Sequence, residues 1–315
     1  MKQLKKHGIQ GRKNNCDFLE TKSHSSLKYR MLGLYFSIWR SLLKGEKRPL
    51  YYIDLYCGDG ETFDESTGDR FETPFVKCLM RDGVIKGNLN IKFILNDIDS
   101  KKIDKLKAKI NEIGVSQNII DITDKNANEY VDDALSKIPN NEFTIFFLDP
   151  FNYNDIKWAT IEKIANHKNK AWKKPEMIIN LPLYPLGKGL ETAMKTGDYD
   201  AMNEFFGTDI WLERVNEYKG RGLERPVFTA FKDVYVEQLQ KLGYGVQYED
   251  INSIGNNAPL YYLIFAVSNP KAYKIVKSAL AFAHGVKQKW IEEKENKHTK
   301  IDVVGKGSGL EKWMK

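Results

Sequence analysis

The sequence predicts an α/β fold: a Rossmann-like, mostly parallel sheet with helices on both faces, ending in an antiparallel hairpin. Three observations predict it. Short apolar segments at Leu50–Leu55, Ile91–Leu95, Ile119–Ile122, Phe143–Leu148 and Met177–Leu181 alternate with segments of helical spacing, the rhythm of βαβ units with right-handed crossovers. Phe143–Leu148 is apolar at almost every position, as a strand buried on both faces must be. The last two strands, Val246–Ile251 and Leu260–Ser268, are joined by a loop alone, so they pair antiparallel.

Each element has a local reason. Residues 1–17 carry Lys2, Lys5, Lys6, Arg12 and Lys13 and read as a basic flexible arm. In Ser25–Leu43, Leu27, Met31, Leu34, Tyr35, Ile38, Trp39 and Leu42 recur at helical spacing, which predicts a helix with one buried face. After the first strand, Glu61–Arg70 is polar and turn-rich, and the next helix is expected near Thr73-Pro74. A lysine-rich amphipathic helix, Lys101–Ile113, stops at Gly114. A further helix is expected around Ala127–Ile138, and another over Phe228–Leu242. Tyr184–Arg225 is weakly periodic and glycine-bearing and reads as an insertion near the active face. The expected organisation is an arm at 1–17, one domain over 18–285 with an insertion at about 184–225, and a charged tail at 286–315.

Composition bounds the function classes. Apolar residues make up 42% of the 315, enough for a sizeable core. The net charge of +7 is compatible with a polyanionic partner, and the basic arm and the lysines of the 167–174 loop are where a nucleic-acid backbone would be tracked. Three cysteines without CxxC spacing predict neither a disulfide framework nor a metal site. The N-terminal stretch lacks the apolar run of a signal peptide, and the apolar runs are too short to span a bilayer. The expectation is a cytoplasmic protein with no membrane association.

Asp54-Leu55-Tyr56-Cys57-Gly58-Asp59-Gly60 follows the first strand. In an open α/β sheet a nucleoside cofactor sits beyond the carboxyl ends of the strands, and Gly58 and Gly60 let the backbone turn close to a ligand. A dinucleotide fingerprint needs a third glycine and an immediate helix, and neither is present. The reversed final hairpin also belongs to class I methyltransferases rather than to dinucleotide dehydrogenases. The expected cofactor is therefore S-adenosylmethionine. Asp54, Tyr56, Cys57, Gly58 and Gly60 form the turn, with Cys57 a small packing residue rather than a nucleophile. Asp97, after the second strand, is expected to accept hydrogen bonds from a ribose diol, with Asp99 the second choice or a helix N-cap. Asp124, after the third strand, either takes the adenine amino group or caps a helix.

Phe147-Leu148-Asp149-Pro150-Phe151-Asn152-Tyr153 ends the fourth strand. Amino-group methyltransferases acting on bases carry Asp/Asn-Pro-Pro-Tyr/Phe here. Asp149 and a main-chain carbonyl would bind the amine N–H groups, and Phe151 or Tyr153 would stack on the base. The second proline of that pattern is absent, and an Asp-Pro turn without chemistry also fits these residues. Asn180 and Tyr184, after the fifth strand, are expected to line the substrate pocket.

Taken together, Thr21-Lys22-x-His24, the helix with Tyr35 and Trp39, Tyr52–Gly60, Glu72-Thr73-Pro74, Asn96-Asp97, Phe147–Phe151, Ile178–Asn180, Phe205-Phe206-Gly207 and Pro259–Phe265 resemble the three-Cys-motif partner protein family. Cys57, Thr73 and Asn152 depart from that family's usual alanine, serine and glycine. The resemblance implies a methyltransferase-like fold, a protein partner bearing three cysteines, and a place for His24 on the active face, where the sequence alone reads His24 as a polar residue capping the first long helix. Two functions follow: a methyltransferase acting on a nucleic-acid amino group of the adenine N6 type, or a catalytically weak methyltransferase-fold binding module acting with that partner.

Overall fold

A computed structural model of the chain describes residues 24–43, 45, 47–63, 70–80, 90–167, 174–252, 259–274, 276–277 and 280. The expected arm at 1–17, most of the 167–174 loop and the tail at 286–315 lie outside the described residues.

Helix α1 is His24–Leu42, followed by β1 (Leu50–Asp54), β2 (Glu61–Phe63), β3 (Arg70–Glu72) and α2 (Pro74–Leu79). Then come β4 (Ile91–Asn96), α3 (Ser100–Ile113), β5 (Ile120–Thr123), α4 (Ala127–Ser136), β6 (Thr144–Leu148), α5 (Trp158–Ala165) and β7 (Glu176–Pro182). The chain continues through α6 (Leu183–Thr196), α7 (Asp200–Phe206), α8 (Ile210–Gly220), α9 (Pro226–Lys241), β8 (Gly245–Asn252) and β9 (Pro259–Val267).

Among the described residues the main sheet has the order β5-β4-β1-β6-β7-β9-β8. β5, β4, β1, β6 and β7 run parallel, while β9 runs antiparallel between β7 and β8. A parallel sheet whose last strand in sequence is inserted, reversed, beside the fifth is the Rossmann-like class I methyltransferase fold. The order reverses at β1, so the crevice beyond the carboxyl ends of β1, β4 and β6 is the topological switch point where ligands bind.

Strand alternation divides the core into two layers. Tyr51, Ile53, Phe146, Leu148, Ile179 and Ile264 face α4 to α9. Leu50, Tyr52, Phe93, Ile145, Phe147, Ile178 and Phe265 face α1, α2 and α3. The segment read as a weakly periodic insertion folds into α6, α7 and α8, and buries Leu186, Leu190, Phe205, Phe206 and Trp211 in the first layer. The polar stretch after the glycine turn holds a small antiparallel pair, β2 with β3.

Gly207 shows how tightly these helices meet the sheet layer. It closes α7 at φ 67°, and a Cβ placed there would lie 2.1 Å from the Trp158 ring. Gly207→Ala is expected to lower the unfolding free energy by about 3 kcal/mol, from left-handed strain plus overpacking. Denaturant unfolding would check this, and a loss within 0.5 kcal/mol would mean that Trp158 yields at little cost.

At the other end of the sheet, the Tyr35 hydroxyl donates to Glu176 at the start of β7. Burial pushes the Glu176 carboxyl up to about 7, and the Tyr35 hydrogen bond opposes that only in part. A raised carboxyl contributes stability in its protonated form. That contribution is complete below pH 4.5, its unfolded value, and disappears as pH rises through 7. Stability is therefore expected to fall across this window by on the order of 3 kcal/mol. Unfolding of Glu176→Gln should lack that slope, and a retained slope would assign it to other groups.

Candidate active site

The carboxyl ends of β1, β4, β6 and β7 open into a cleft of about 540 Å³, within the range of small-molecule sites. Behind the cleft, Asn96 is fully buried at the end of β4. The Asn96 amide donates to the Leu55 carbonyl (3.1 Å) and the Lys125 carbonyl (2.9 Å). Its Oδ1 accepts from the Thr123 hydroxyl (2.8 Å) and the Lys125 N–H (3.0 Å). One side chain thereby ties together the loops after β1 and β5. Its neighbour Asp97 draws attention in the sequence, but Asn96 carries no one-dimensional signal for this role.

Asp97 faces the cleft. Its Oδ2 accepts the Gly58 N–H and its Oδ1 the Asp99 N–H, both at 2.9 Å. Asp99 is the N-cap of α3, accepting from the Lys101 and Lys102 N–H groups. Asp99, the second choice in the sequence, thus serves the helix, while Asp97 lines the cleft.

The two glycines of the turn have different tasks. Gly58, at φ 62°, lines the cleft, and a Cβ added there would meet nothing within 4 Å. Gly60, at φ 78°, is packed, since a Cβ there would lie 2.8 Å from Val76 and 2.9 Å from Leu106. Asp54 supports the turn from beneath: it is buried and accepts the Tyr56 N–H at 3.0 Å. Burial pushes its carboxyl well above the usual range, and the nearby Asp149 and Asp97 charges add to this. Cys57 is buried in the second core layer, and burial raises its thiol pKa, consistent with a packing residue. Tyr56 lines the cleft and donates its hydroxyl to the Asp155 carbonyl at 2.9 Å. Asp124 is exposed and is not among the residues lining the cleft; the helix cap expected of it is supplied by Asn126, which lines the cleft together with Lys125.

Across the cleft, Asp149 ends β6. Its Oδ2 receives the Lys28 ammonium at 2.6 Å, and its Oδ1 the Asn180 amide at 2.7 Å. Lys28 comes from α1, 8% exposed, with its ammonium 5.0 Å from the Tyr29 ring centre and 5.4 Å from that of Tyr261. Burial disfavours the ammonium, but the Asp149 carboxylate, helped by Tyr29 and Tyr261, outweighs it and holds Lys28 protonated well above its ordinary range. Sequence reasoning missed Lys28, Tyr261 and Ile98, all of which line the cleft.

The aromatic candidates separate. Phe151 is 90% exposed at the cleft mouth, with Ile98 and Tyr184 beside the same opening. Tyr153 turns into the core, against Phe205 and over Gly189, so its ring is not placed to stack on a substrate in the cleft. Pro150 lines the cleft with Phe151. His24 opens α1, and its side chain lies outside the described residues. In the basic loop, Lys174 donates to the Leu242 carbonyl at the end of α9 (2.7 Å). No helix among the described residues is long and apolar enough to cross a membrane.

No protein-family model matches the chain, and no curated protein matches it. Among solved structures, a Legionella pneumophila protein of the family DUF519 is 10% identical and covers 83% of this chain and 91% of its own, with a TM-score of 0.48. An O-methyltransferase from Bacillus cereus in complex with SAH is 9% identical over 75% of this chain and 80% of its own, with a TM-score of 0.42. A SAM-dependent methyltransferase from Agrobacterium tumefaciens is 10% identical over 76% of this chain and 61% of its own, with a TM-score of 0.41. At such values these are likenesses only, and residue roles do not transfer from them.

Proposed function

We propose that the protein is an S-adenosylmethionine-dependent methyltransferase, working in the cytoplasm, that acts on an exocyclic amino group of a nucleic-acid base of the adenine N6 type. The observation that carries this reading is the pairing of two polar sites across one cleft: Asp97 with the Gly58 turn on one side, and Asp149 with Asn180 on the other.

The residues present fit the cofactor. The open space at Gly58 admits a ligand against the backbone. Asp97 is held by two backbone N–H groups, and its remaining lone pairs suit a ribose diol. Ile98, 70% exposed beside it, offers an apolar face to a purine. When bound, S-adenosylmethionine supplies an electrophilic methyl group on a sulfonium. Asp149 and Asn180 would orient an amine whose lone pair is otherwise delocalised into its ring, and in such transfers positioning supplies much of the rate. The amine proton displaced by methylation leaves to solvent or a carboxylate. Phe151 and Tyr184 at the mouth, with Lys102 and Lys125 lining the cleft, suit an unpaired base and its backbone.

One observation favours a second reading. The Lys28 ammonium already occupies Asp149 Oδ2, as in a module that keeps the fold and acts with a three-Cys-motif partner protein instead of turning over. Calorimetric titration with S-adenosylhomocysteine, followed by transfer of labelled methyl to single-stranded oligonucleotides, separates the two. Micromolar binding with transfer supports the enzyme. Binding without transfer, with or without the partner, supports the module, and no binding by folded protein removes the cofactor assignment.

A further inference from the structure

The acceptor side of the cleft has an uneven hydrogen-bond inventory. A carboxylate only accepts, so the contact between Asn180 and Asp149 must be made by the amide nitrogen. That fixes the Asn180 oxygen on the opposite side, where it is buried without a hydrogen-bond partner among the described residues. A buried acceptor left unpaired is costly, and Asn180 lines the cleft, so a donor arriving there would relieve it. Lys28 has the opposite surplus. Its ammonium has three N–H donors, one directed at Asp149, with the Tyr29 and Tyr261 rings beside the others. Asn180, whose amide oxygen is unpaired, and Lys28, whose ammonium has N–H donors beyond the one on Asp149, thus both hold Asp149 and both line one cleft.

We infer that Asn180 and Lys28 together read the amidine edge of a nucleobase: Asn180 Oδ1 accepts the exocyclic N–H, and Lys28 donates to the adjacent ring nitrogen. This rests on the methyltransferase reading and names the edge its substrate must present. Adenine and cytosine offer such an edge. On its Watson–Crick edge guanine places a ring N–H beside its exocyclic amine, which would face the ammonium donor to donor. Thymine and uracil lack the amine. An amine or guanidinium of a protein side chain would bring a second cation to Lys28. A side-chain carboxamide shares the donor–acceptor pattern, but the exposed rings of Phe151 and Tyr184 and the lysines lining the cleft favour a base. Lys28 is in this view a specificity-determining residue.

The test uses the full chain with S-adenosylhomocysteine present and follows fluorescence anisotropy of short single-stranded oligoadenylate and oligocytidylate. Matched probes carry 1-deazaadenine or 3-deazacytosine, in which the ring nitrogen becomes C–H. Wild-type protein is expected to bind at least one parent probe about tenfold tighter than its deaza partner, one charged hydrogen bond's worth. Lys28→Met should bind the pair equally, Lys28→Arg should restore discrimination, and all three should bind S-adenosylhomocysteine alike. Equal binding of the wild type to parent and deaza probes overturns the inference, whether or not Lys28→Met folds. So does full discrimination in Lys28→Met, or capture of a glutamine-bearing peptide in place of either oligonucleotide. If S-adenosylhomocysteine binds but neither probe does, this inference falls while the cofactor site stands. If S-adenosylhomocysteine itself does not bind to folded protein, the underlying reading falls first.

Discussion

Asp97→Ala is expected to raise the dissociation constant for S-adenosylhomocysteine about a hundredfold or more. The carboxylate has two tasks. It holds the Gly58 and Asp99 N–H groups at 2.9 Å each, which fixes the turn that the ligand lies against. Its remaining lone pairs are assigned to the ribose hydroxyls. Hydrogen bonds to a charged group contribute about 1.5–3 kcal/mol each, so the loss of the ribose contacts alone reaches about 3 kcal/mol, or two decades in affinity. Asp97→Asn should be nearly as damaging. Its amide nitrogen would have to face either the Gly58 or the Asp99 N–H, setting donor against donor. Calorimetry on protein with an unchanged thermal midpoint is the check. An unaltered affinity in both variants would move the ribose to another group and leave Asp97 a turn-holding residue.

Asp97 and the glycine turn were legible in the sequence because the signal is local. Asp54 ends the first strand with Gly58 and Gly60 directly after it, and Asp97 follows directly on the apolar run of β4, so each carries its signal in its own strand end. The same holds for β6, whose unbroken apolar run reflects burial on both faces, and for Gly114, which ends α3 in the left-handed conformation. Helices α6 to α8 were harder to read. Gly189 sits within α6 because the Tyr153 ring lies where its Cβ would be, and Gly197 and Gly207 separate short helices whose apolar stripes never run long. Lys28 was invisible for a different reason. A lysine at one position of an amphipathic helix reads as solvated, and its partner Asp149 lies 121 residues away. Only the packing of α1 beside the ends of β6 and β7 turns that lysine inward. Tyr153 fails in the reverse sense: its position after Asp149-Pro150 suggested a substrate ring, but the 3-10 turn Tyr153–Asp155 directs it into the core.

Asp149→Ala is expected to abolish methyl transfer, by about a thousandfold or more, while S-adenosylhomocysteine still binds. Two losses combine in that variant, and they can be separated. The first is chemical: the amine loses an oriented acceptor at the end of β6, and misplacement alone costs orders of magnitude in rate. The second is structural. Lys28 and Asp149 are 11% and 13% exposed at their side chains, so removing the carboxylate strands a buried ammonium, at a cost of about 3 kcal/mol or more. Lys28→Met alone removes the opposite charge and leaves Asp149 near Asp54 and Asp97, the carboxylates whose mutual repulsion already raises Asp54. The double variant Lys28→Met/Asp149→Leu replaces the pair with apolar side chains and should recover most of the stability, because a buried ion pair is often matched by well-packed apolar groups. It should recover none of the turnover. Denaturant unfolding read beside methyl transfer decides the matter: a double variant that regained both would make the carboxylate a structural counter-ion, whereas regained stability without turnover gives the Lys28–Asp149 pair a task on the acceptor beyond holding the fold.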